Sequence, residues 1–452
     1  MTRPFRTACI LLACALALTA QTRELPIGVF DSGTGGLTVL QAIVTLDAFH
    51  NATGAPGADG TPDFAGESFQ YMADQANMPY GNYAAVNKTD LLKENILRCM
   101  EFLTSPSTER SKPPVKMLVI GCNTATAYAL EDISAFAAKK KRGMPVVGVI
   151  NAGVKAAMEF QRKNPGTIGV FATAGTVTSN GYPNAIRAAA KAQGMPEPSI
   201  VSQGGVGLAE SIDRDWSYIS DTLTAVRKEY KGPSLRNDRL PIDPALLGIY
   251  NFSTEKNRIV CEFDPNGNCL ELQLNDPANY VRYHLVTLLE TMRRERFTRP
   301  LNTLLLACTH YPYMRDTIAA VLTEMYGVRE GDGYRYRGVL APHVELIDPA
   351  VETAKEAYLE MRARTLQRSG TAPAPDRFFI SVPNTALKEV RLQPDGWFTY
   401  EYKYGRKHGE KKTYVRYVPF DTVNVSADTY ERFSRAIPEV YARLVPAVKG
   451  LR

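Results

Sequence analysis

Two cysteines end matching apolar runs. Leu118-Val119-Ile120-Gly121 leads into Cys122-Asn123-Thr124, and Leu304-Leu305-Leu306-Ala307 leads into Cys308-Thr309-His310. A thiol ionises at a pKa of about 8.5, close enough to neutrality to give or take a proton, and its surroundings tune it. A pair of thiols suits a task that one base does poorly: removing a proton from one face of a carbon and returning one to the other. One thiol starts as thiolate and its partner as thiol, with the roles reversed for the mirror-image substrate. The nascent carbanion also needs preplaced donors. Asn123, Thr124 and Thr309, with the backbone N–H groups beside them, supply such donors. Either cysteine alone reads more readily as a small buried hydrophobe than as a catalyst. Two at equivalent positions, each followed by polar residues, point to chemistry.

The elements around them must be strands and helices in alternation. Apolar runs at Pro26–Phe30, Ser68–Ala73, Val115–Gly121, Pro145–Ile150, Thr167–Ala172, Leu301–Ala307 and Val344–Ile347 alternate with helical patterns. The helical patterns are Leu37–Ala48, Thr89–Leu103, Ala152–Arg162, Gly181–Ala192 and Tyr280–Arg296. The fold class is therefore α/β with mainly parallel sheets. An internal echo divides it into two pseudo-symmetric domains. Ile27-Gly28-Val29-Phe30 recurs as Ile168-Gly169-Val170-Phe171, and each half ends in one of the cysteine runs. The spacing is 95 in the first half (122 − 27) and 140 in the second (308 − 168). The difference of 45 is close to the length of a turn-rich segment from about Asp213 to Cys261, so a duplication with one insertion accounts for both. Ligands of parallel α/β sheets bind beyond the carboxyl ends of the strands. This places the expected active site in a cleft between the two domains, with one cysteine on each wall. Residues 25–125 and 300–452, with part of 126–150, are assigned to the first domain, and 151–300 to the second, which carries an insert at about 213–300. Thr399-Tyr400-Glu401-Tyr402 and Thr413-Tyr414-Val415-Arg416-Tyr417 alternate like strands and predict a β-hairpin insert over Trp397–Tyr417. It reads equally as a cover for the site, a contact between two copies in a homodimer, or a surface ornament.

Length and composition set bounds. At 452 residues with 44% hydrophobic and 22% charged residues, the chain holds two ordinary globular cores. A net charge of +6, spread along the chain, calls for no nucleic-acid partner. The basic run Lys139–Arg142 reads as the polar end of a helix. Arg3 and Arg6 precede an apolar stretch from Thr7 to Ala20, followed by Gln21-Thr22-Arg23-Glu24. Residues 1–20 thus read as a signal peptide cleaved near Ala20, too short to span a bilayer, and the expected location is periplasmic or secreted. Cleavage before an acylated Cys14 is the less favoured alternative. Cys261 and Cys269 flank the turn Asp264-Pro265-Asn266-Gly267, and a disulfide across it is left open.

These residues resemble glutamate racemase, of the aspartate/glutamate racemase superfamily. Ile27–Leu40, with Asp31-Ser32-Gly33-Thr34-Gly35-Gly36, looks like its opening strand and substrate loop. Pro79-Tyr80-Gly81 matches a second binding loop, while Cys122-Asn123-Thr124-Ala125 and Cys308-Thr309-His310-Tyr311-Pro312 match the catalytic segments. Gly175-Thr176-Val177 with Ser179 and Tyr182, and Leu346-Ile347-Asp348, add to the likeness. The resemblance implies interconversion of L- and D-glutamate with no cofactor and no metal, in the supply of D-glutamate to a peptidoglycan precursor. It implies that Cys122 and Cys308 are catalytic, that Asp31 tunes Cys122, and that His310 and Glu210 serve Cys308. Asp31, Ser32, Pro79, Tyr80, Gly81, Asn123, Thr124, Thr176, Thr309 and His310 would bind the amino acid. Ser202-Gln203-Gly204-Gly205 departs from the Cys-Pro pattern expected ahead of Glu210. Export also departs from a cytoplasmic pathway.

Other chemistries fit less well. Gly33-Thr34-Gly35-Gly36 has no Gly-Lys-Ser/Thr ending, and Thr38 stands where a dinucleotide loop needs its third glycine. The alternatives that remain are an exported racemase for aspartate or another amino acid, and an amino-acid binding protein without catalysis. The second would have no use for two matched thiols.

Overall fold

The computed structural model describes residues 21–107, 112–140, 143–370, 373–394 and 396–449. Residues 1–20, which the sequence reads as a signal peptide and which hold Cys9 and Cys14, lie outside them, as do Lys141 and Arg142 of the basic run. The chain divides into two compact units, residues 1–152 with 350–452, and residues 153–349. In the first run β1 (Ile27–Asp31), α1 (Leu37–Thr45), β2 (Phe69–Ala73), α2 (Thr89–Thr104), β3 (Met117–Ile120), α3 (Asn123–Lys140), β4 (Val146–Gly148) and α4 (Val149–Lys163), whose later turns belong to the second unit. The second unit continues with β5 (Thr167–Ala172), α5 (Gly181–Ala192), β6 (Ser199–Gly204), β7 (Ile259–Phe263), β8 (Cys269–Leu274), α6 (Pro277–Arg294), β9 (Leu301–Ala307), α7 (Arg315–Gly327) and β10 (Leu340–Ile347). Helix α8 (Pro349–Ala363) returns the chain to the first unit, which closes with β11 (Arg377–Pro383), β12 (Val415–Pro419), α9 (Ala427–Ala436) and α10 (Pro438–Lys449).

The duplication is visible in the strand orders. The first sheet runs β12-β11-β2-β1-β3-β4 and the second β10-β9-β5-β6. Reading β2-β1-β3-β4 against β6-β5-β9-β10 gives one order, parallel throughout. The register agrees as well. Phe30 pairs with Ile120, and its echo Phe171 pairs with Leu306. Each cysteine lies two residues beyond the paired residue, so each occupies the same place on its own sheet. The strands are near-continuous runs of Val, Ile, Leu and Phe because helices cover both faces. On one face of the first sheet pack Leu37, Leu40, Tyr358 and Val440, and on the other Leu92, Ile96, Ala129 and Ile133.

Three expectations need correction. Residues 300–349 belong to the second unit, because β9 and β10 pair with β5 and with each other. The insertion ends near Asp276, since α6 stands between β6 and β9 as α2 does between β2 and β3. Pro277 at its first turn and the Asp276 side chain, accepting from Ala278 N at 2.9 Å, start this helix. The hairpin over 397–417 is replaced by a short helix, Tyr400–Gly405, capped by Thr399 Oγ1 accepting from Tyr402 N at 3.2 Å. The cap outweighs the alternation, and only Val415–Pro419 is extended, antiparallel to β11. Within the insertion, β7 and β8 form the expected hairpin, and Cys261 and Cys269 are joined as a disulfide. Among the described residues no helix is long and apolar enough to cross a membrane.

Candidate functional site

In the first unit the turn after β1 meets the start of α3. Asp31 is buried, and its carboxylate accepts from Ser32 N at 2.7 Å and from Gly36 N at 2.5 Å. A side chain at Gly36 would collide with Asp31, so the loop closes around the carboxylate only with glycine there. Cys122 Sγ lies 3.4 Å from Ser32 Oγ, and Ala125 N, in the first turn of α3, points to the sulfur at 3.4 Å. Burial, then the negative charge of Asp31, push the Cys122 thiol up to about 12. Burial likewise raises the Asp31 carboxyl, with hydrogen bonds from Cys122, Ser32 and Gly36 opposing it. Cys122 therefore rests as a thiol. Asn123 and Thr124 follow on the first turn of α3, half-buried.

The loop that the resemblance marks for substrate binding, Pro79–Gly81, is in the same unit. Asp74 N donates to Asp31 O at 2.9 Å, tying the end of β2 to the end of β1. Tyr80 is buried with its hydroxyl on Asp74 Oδ2 at 2.6 Å, while Pro79 is exposed and Gly81 half-buried.

In the second unit Cys308, Thr309 and His310 follow β9 directly. His310 Nδ1 lies 3.8 Å from Cys308 Sγ and 3.3 Å from Thr309 Oγ1, and its Nε2 lies 3.1 Å from Asp213 Oδ2. Burial disfavours charge on His310, but the hydrogen bonds to Asp213 and Cys308 outweigh it and raise the ring to about 10. The ring is thus an imidazolium, donating to both partners. Asp213 went unrecognised in the sequence because it reads only as the start of an insertion. An acid three residues beyond Glu210, one helical turn on, was the available signal. Glu210 itself sits on the short helix Leu208–Ile212, and its charge acts on Tyr311. Burial first, then the charges of Cys308 and Glu210, raise that phenol well above its usual range. Tyr311 donates to Ala172 O at 3.2 Å and Gly205 O at 3.1 Å. A Cβ at Gly205 would strike that hydroxyl, which explains a glycine where a Cys-Pro pattern was expected. Thr176 is buried in the turn after β5, where Thr173 Oγ1 accepts from Thr176 N at 3.3 Å.

His284 supports this segment from α6. It is fully buried, its Nε2 lies 3.0 Å from Val206 O, and its Nδ1 lies 3.4 Å from Gln203 Nε2. A neutral ring donating to Val206 and accepting from Gln203 satisfies both. Burial lowers its pKa from 6.5 to about 4, with the bond to Val206 opposing. A histidine depressed in the fold contributes stability above its unfolded pKa that is lost as pH falls through the folded one. Between pH 6.5 and 4 this amounts to about 3 kcal/mol. Urea unfolding at pH 7 and pH 4 should show a shallower loss in His284→Gln than in the parent by about that amount. Equal losses would place the acid sensitivity elsewhere.

No family model matches the chain. Over 359 residues it is 26% identical to the glutamate racemase of Acidothermus cellulolyticus, covering 79% of this chain and 90% of that one. Over 231 residues it is 32% identical to the glutamate racemase of Neisseria meningitidis, covering 51% of this chain and 69% of the relative. Among solved structures, a glutamate racemase isoform from Bacillus anthracis aligns with 79% of this chain and 89% of its own at 22% identity, with a TM-score of 0.46. The motifs around both cysteines and the sequence relatives agree: the chain is an amino-acid racemase and belongs to the glutamate racemase family.

Proposed function

We propose that this enzyme interconverts L- and D-glutamate without a cofactor, with Cys122 and Cys308 as the two acid–base groups acting on one α-carbon. The observation that carries the reading is the equal register of the two cysteines on duplicated sheets, each beside an ionisable partner. The substrate is inferred from the relatives, which are named as glutamate racemases.

The two surroundings differ in sense. Cys122 is kept protonated by burial and by Asp31, whereas Cys308 lies against a positive ring. With the His310 ring 3.8 Å from its sulfur, Cys308 takes the α-proton of one enantiomer. The electron pair left on carbon delocalises into the substrate carboxylate, and Cys122 returns a proton from the other face. The thiolate is then on Cys122, ready for the reverse direction, with Asp31 drawing the next proton toward it. Ser32, Thr176, Asn123, Thr124, Thr309 and the loop Pro79–Gly81 hold the amino acid by hydroxyl, amide and backbone groups.

Export remains part of this reading. It is supported by the leader pattern in residues 1–20 and by the Cys261–Cys269 disulfide, a bond that persists in oxidising compartments. An exported enzyme would supply or remove D-glutamate outside the cytoplasmic route to peptidoglycan precursors. Chiral chromatography of residues 21–452 with L-glutamate under reducing conditions tests the activity. D-Glutamate should accumulate toward an equal mixture. Its absence, with aspartate or another amino acid racemised instead, would keep the chemistry and replace the substrate.

A further inference from the structure

The segment that follows β11 is foreign to the duplicated core, and it reaches back to a substrate loop. Three residues grip three successive loop residues. Arg406 Nη2 donates to Asn77 Oδ1 at 2.6 Å, Lys403 Nζ donates to Met78 O, and Tyr404 OH donates to Pro79 O at 3.1 Å. Lys403 and Arg406 are buried. The Arg406 guanidinium lies 5.0 Å from the Phe398 ring, 5.1 Å from Tyr414 and 5.8 Å from Tyr402, a cage that fixes its direction.

Beneath the loop lies Asp74, with no exposure to solvent. It accepts from Ser381 Oγ at 2.7 Å, from Asn77 Nδ2 at 3.0 Å and from Tyr80 OH at 2.6 Å. Burial raises its carboxyl, and those bonds together with the charge of Arg406 oppose the rise. Arg406, Asn77 and Asp74 therefore form a buried chain from the appended segment to the end of β2, and Asp74 N continues it to Asp31. Buried ionic groups in such a chain carry a large cost when one is removed. That makes the chain a device for holding one geometry.

We propose that Lys403, Tyr404 and Arg406 are positioning residues that hold the loop Asn77–Gly81 in its substrate-binding conformation. This rests on the reading that Pro79–Gly81 binds the amino acid.

The test uses the mature chain with Lys403→Met, Arg406→Met and Arg406→Lys, read by amide hydrogen exchange over residues 78–83 and by steady-state kinetics on glutamate. Both methionine variants should exchange those amides about tenfold faster while β5 and β9 keep their protection. They should raise KM about tenfold and change kcat by less than about threefold, with Arg406→Lys in between. Lys403→Met leaves the buried ionic chain intact and covers the case in which Arg406→Met fails to fold. Unchanged exchange in residues 78–83, or faster exchange with KM unaltered, would overturn the proposal. Should the parent racemise no amino acid, the function proposed above falls, while the exchange arm still decides whether these residues hold the loop.

Discussion

Cys308→Ala should abolish the conversion of L- to D-glutamate, and Cys122→Ala should do the same, each lowering kcat by about a thousandfold or more. Neither change should raise KM more than a few-fold, because Ser32, Thr124, Thr309 and the Pro79–Gly81 backbone remain. The loss is expected in both directions for both variants, since inversion requires one group to take a proton and another to give one. Half of the reaction survives, however. In Cys122→Ala the remaining thiol can still remove the α-proton of one enantiomer and return a solvent proton to the same face. In Cys308→Ala the other enantiomer is the one that exchanges. Loss of α-deuterium from a single enantiomer in each variant, opposite in the two, is therefore the signature. Both variants washing out the same enantiomer would mean that one cysteine is only a buried hydrophobe.

Asp213→Asn should be the most damaging change at a position that the family motifs do not mark. With its carboxylate gone, the main hydrogen bond that raises His310 is lost and the ring's pKa falls from about 10, since burial is then opposed by Cys308 alone. His310 in the parent carries its charge below about pH 10 and loses it above. The direction in which Cys308 acts as base should then lose about a hundredfold in kcat at pH 8, with the alkaline limb of its pH profile moved to lower pH. The opposite direction should suffer less, and this split separates an electrostatic role from a merely structural one. Glu210→Gln should cost less than Asp213→Asn, because Glu210 reaches Tyr311 rather than His310. The reverse order of effects would restore Glu210 as the acid that serves Cys308.

The parts legible in the sequence share a physical cause. Strands β1, β3, β5 and β9 are covered on both faces, so each is a near-continuous apolar run, and the duplication repeats them in one order around an insertion. The same repeat puts Cys122 and Cys308 at one register, each on its own sheet. What stayed hidden depends on distant pairing or on local caps. Ser199–Gly204 is an edge strand with polar residues, too weakly patterned to stand out, and it pairs on one side only. Arg377–Pro383 joins β2 across some three hundred residues of chain, a contact no local pattern records. Thr399 reads as part of an alternating run until its hydroxyl is seen to cap a helix. Asp213 and Arg406 were missed for one reason: each acts, on His310 and on Asn77 beside the Pro79–Gly81 motif, from a segment that the compact family pattern lacks. Asp31, by contrast, was legible because its partners Ser32 and Gly36 lie within five residues.

One measurement reaches the central claim directly: NMR of L-glutamate turned over in deuterium oxide, read at early times in both enantiomers. Two thiols on opposite faces require the D-glutamate formed to carry deuterium at Cα while the unreacted L-glutamate keeps its proton. Deuterium appearing at equal rates in both enantiomers, or product that retains the original α-proton, would mean that a single base serves both faces and would contradict the account.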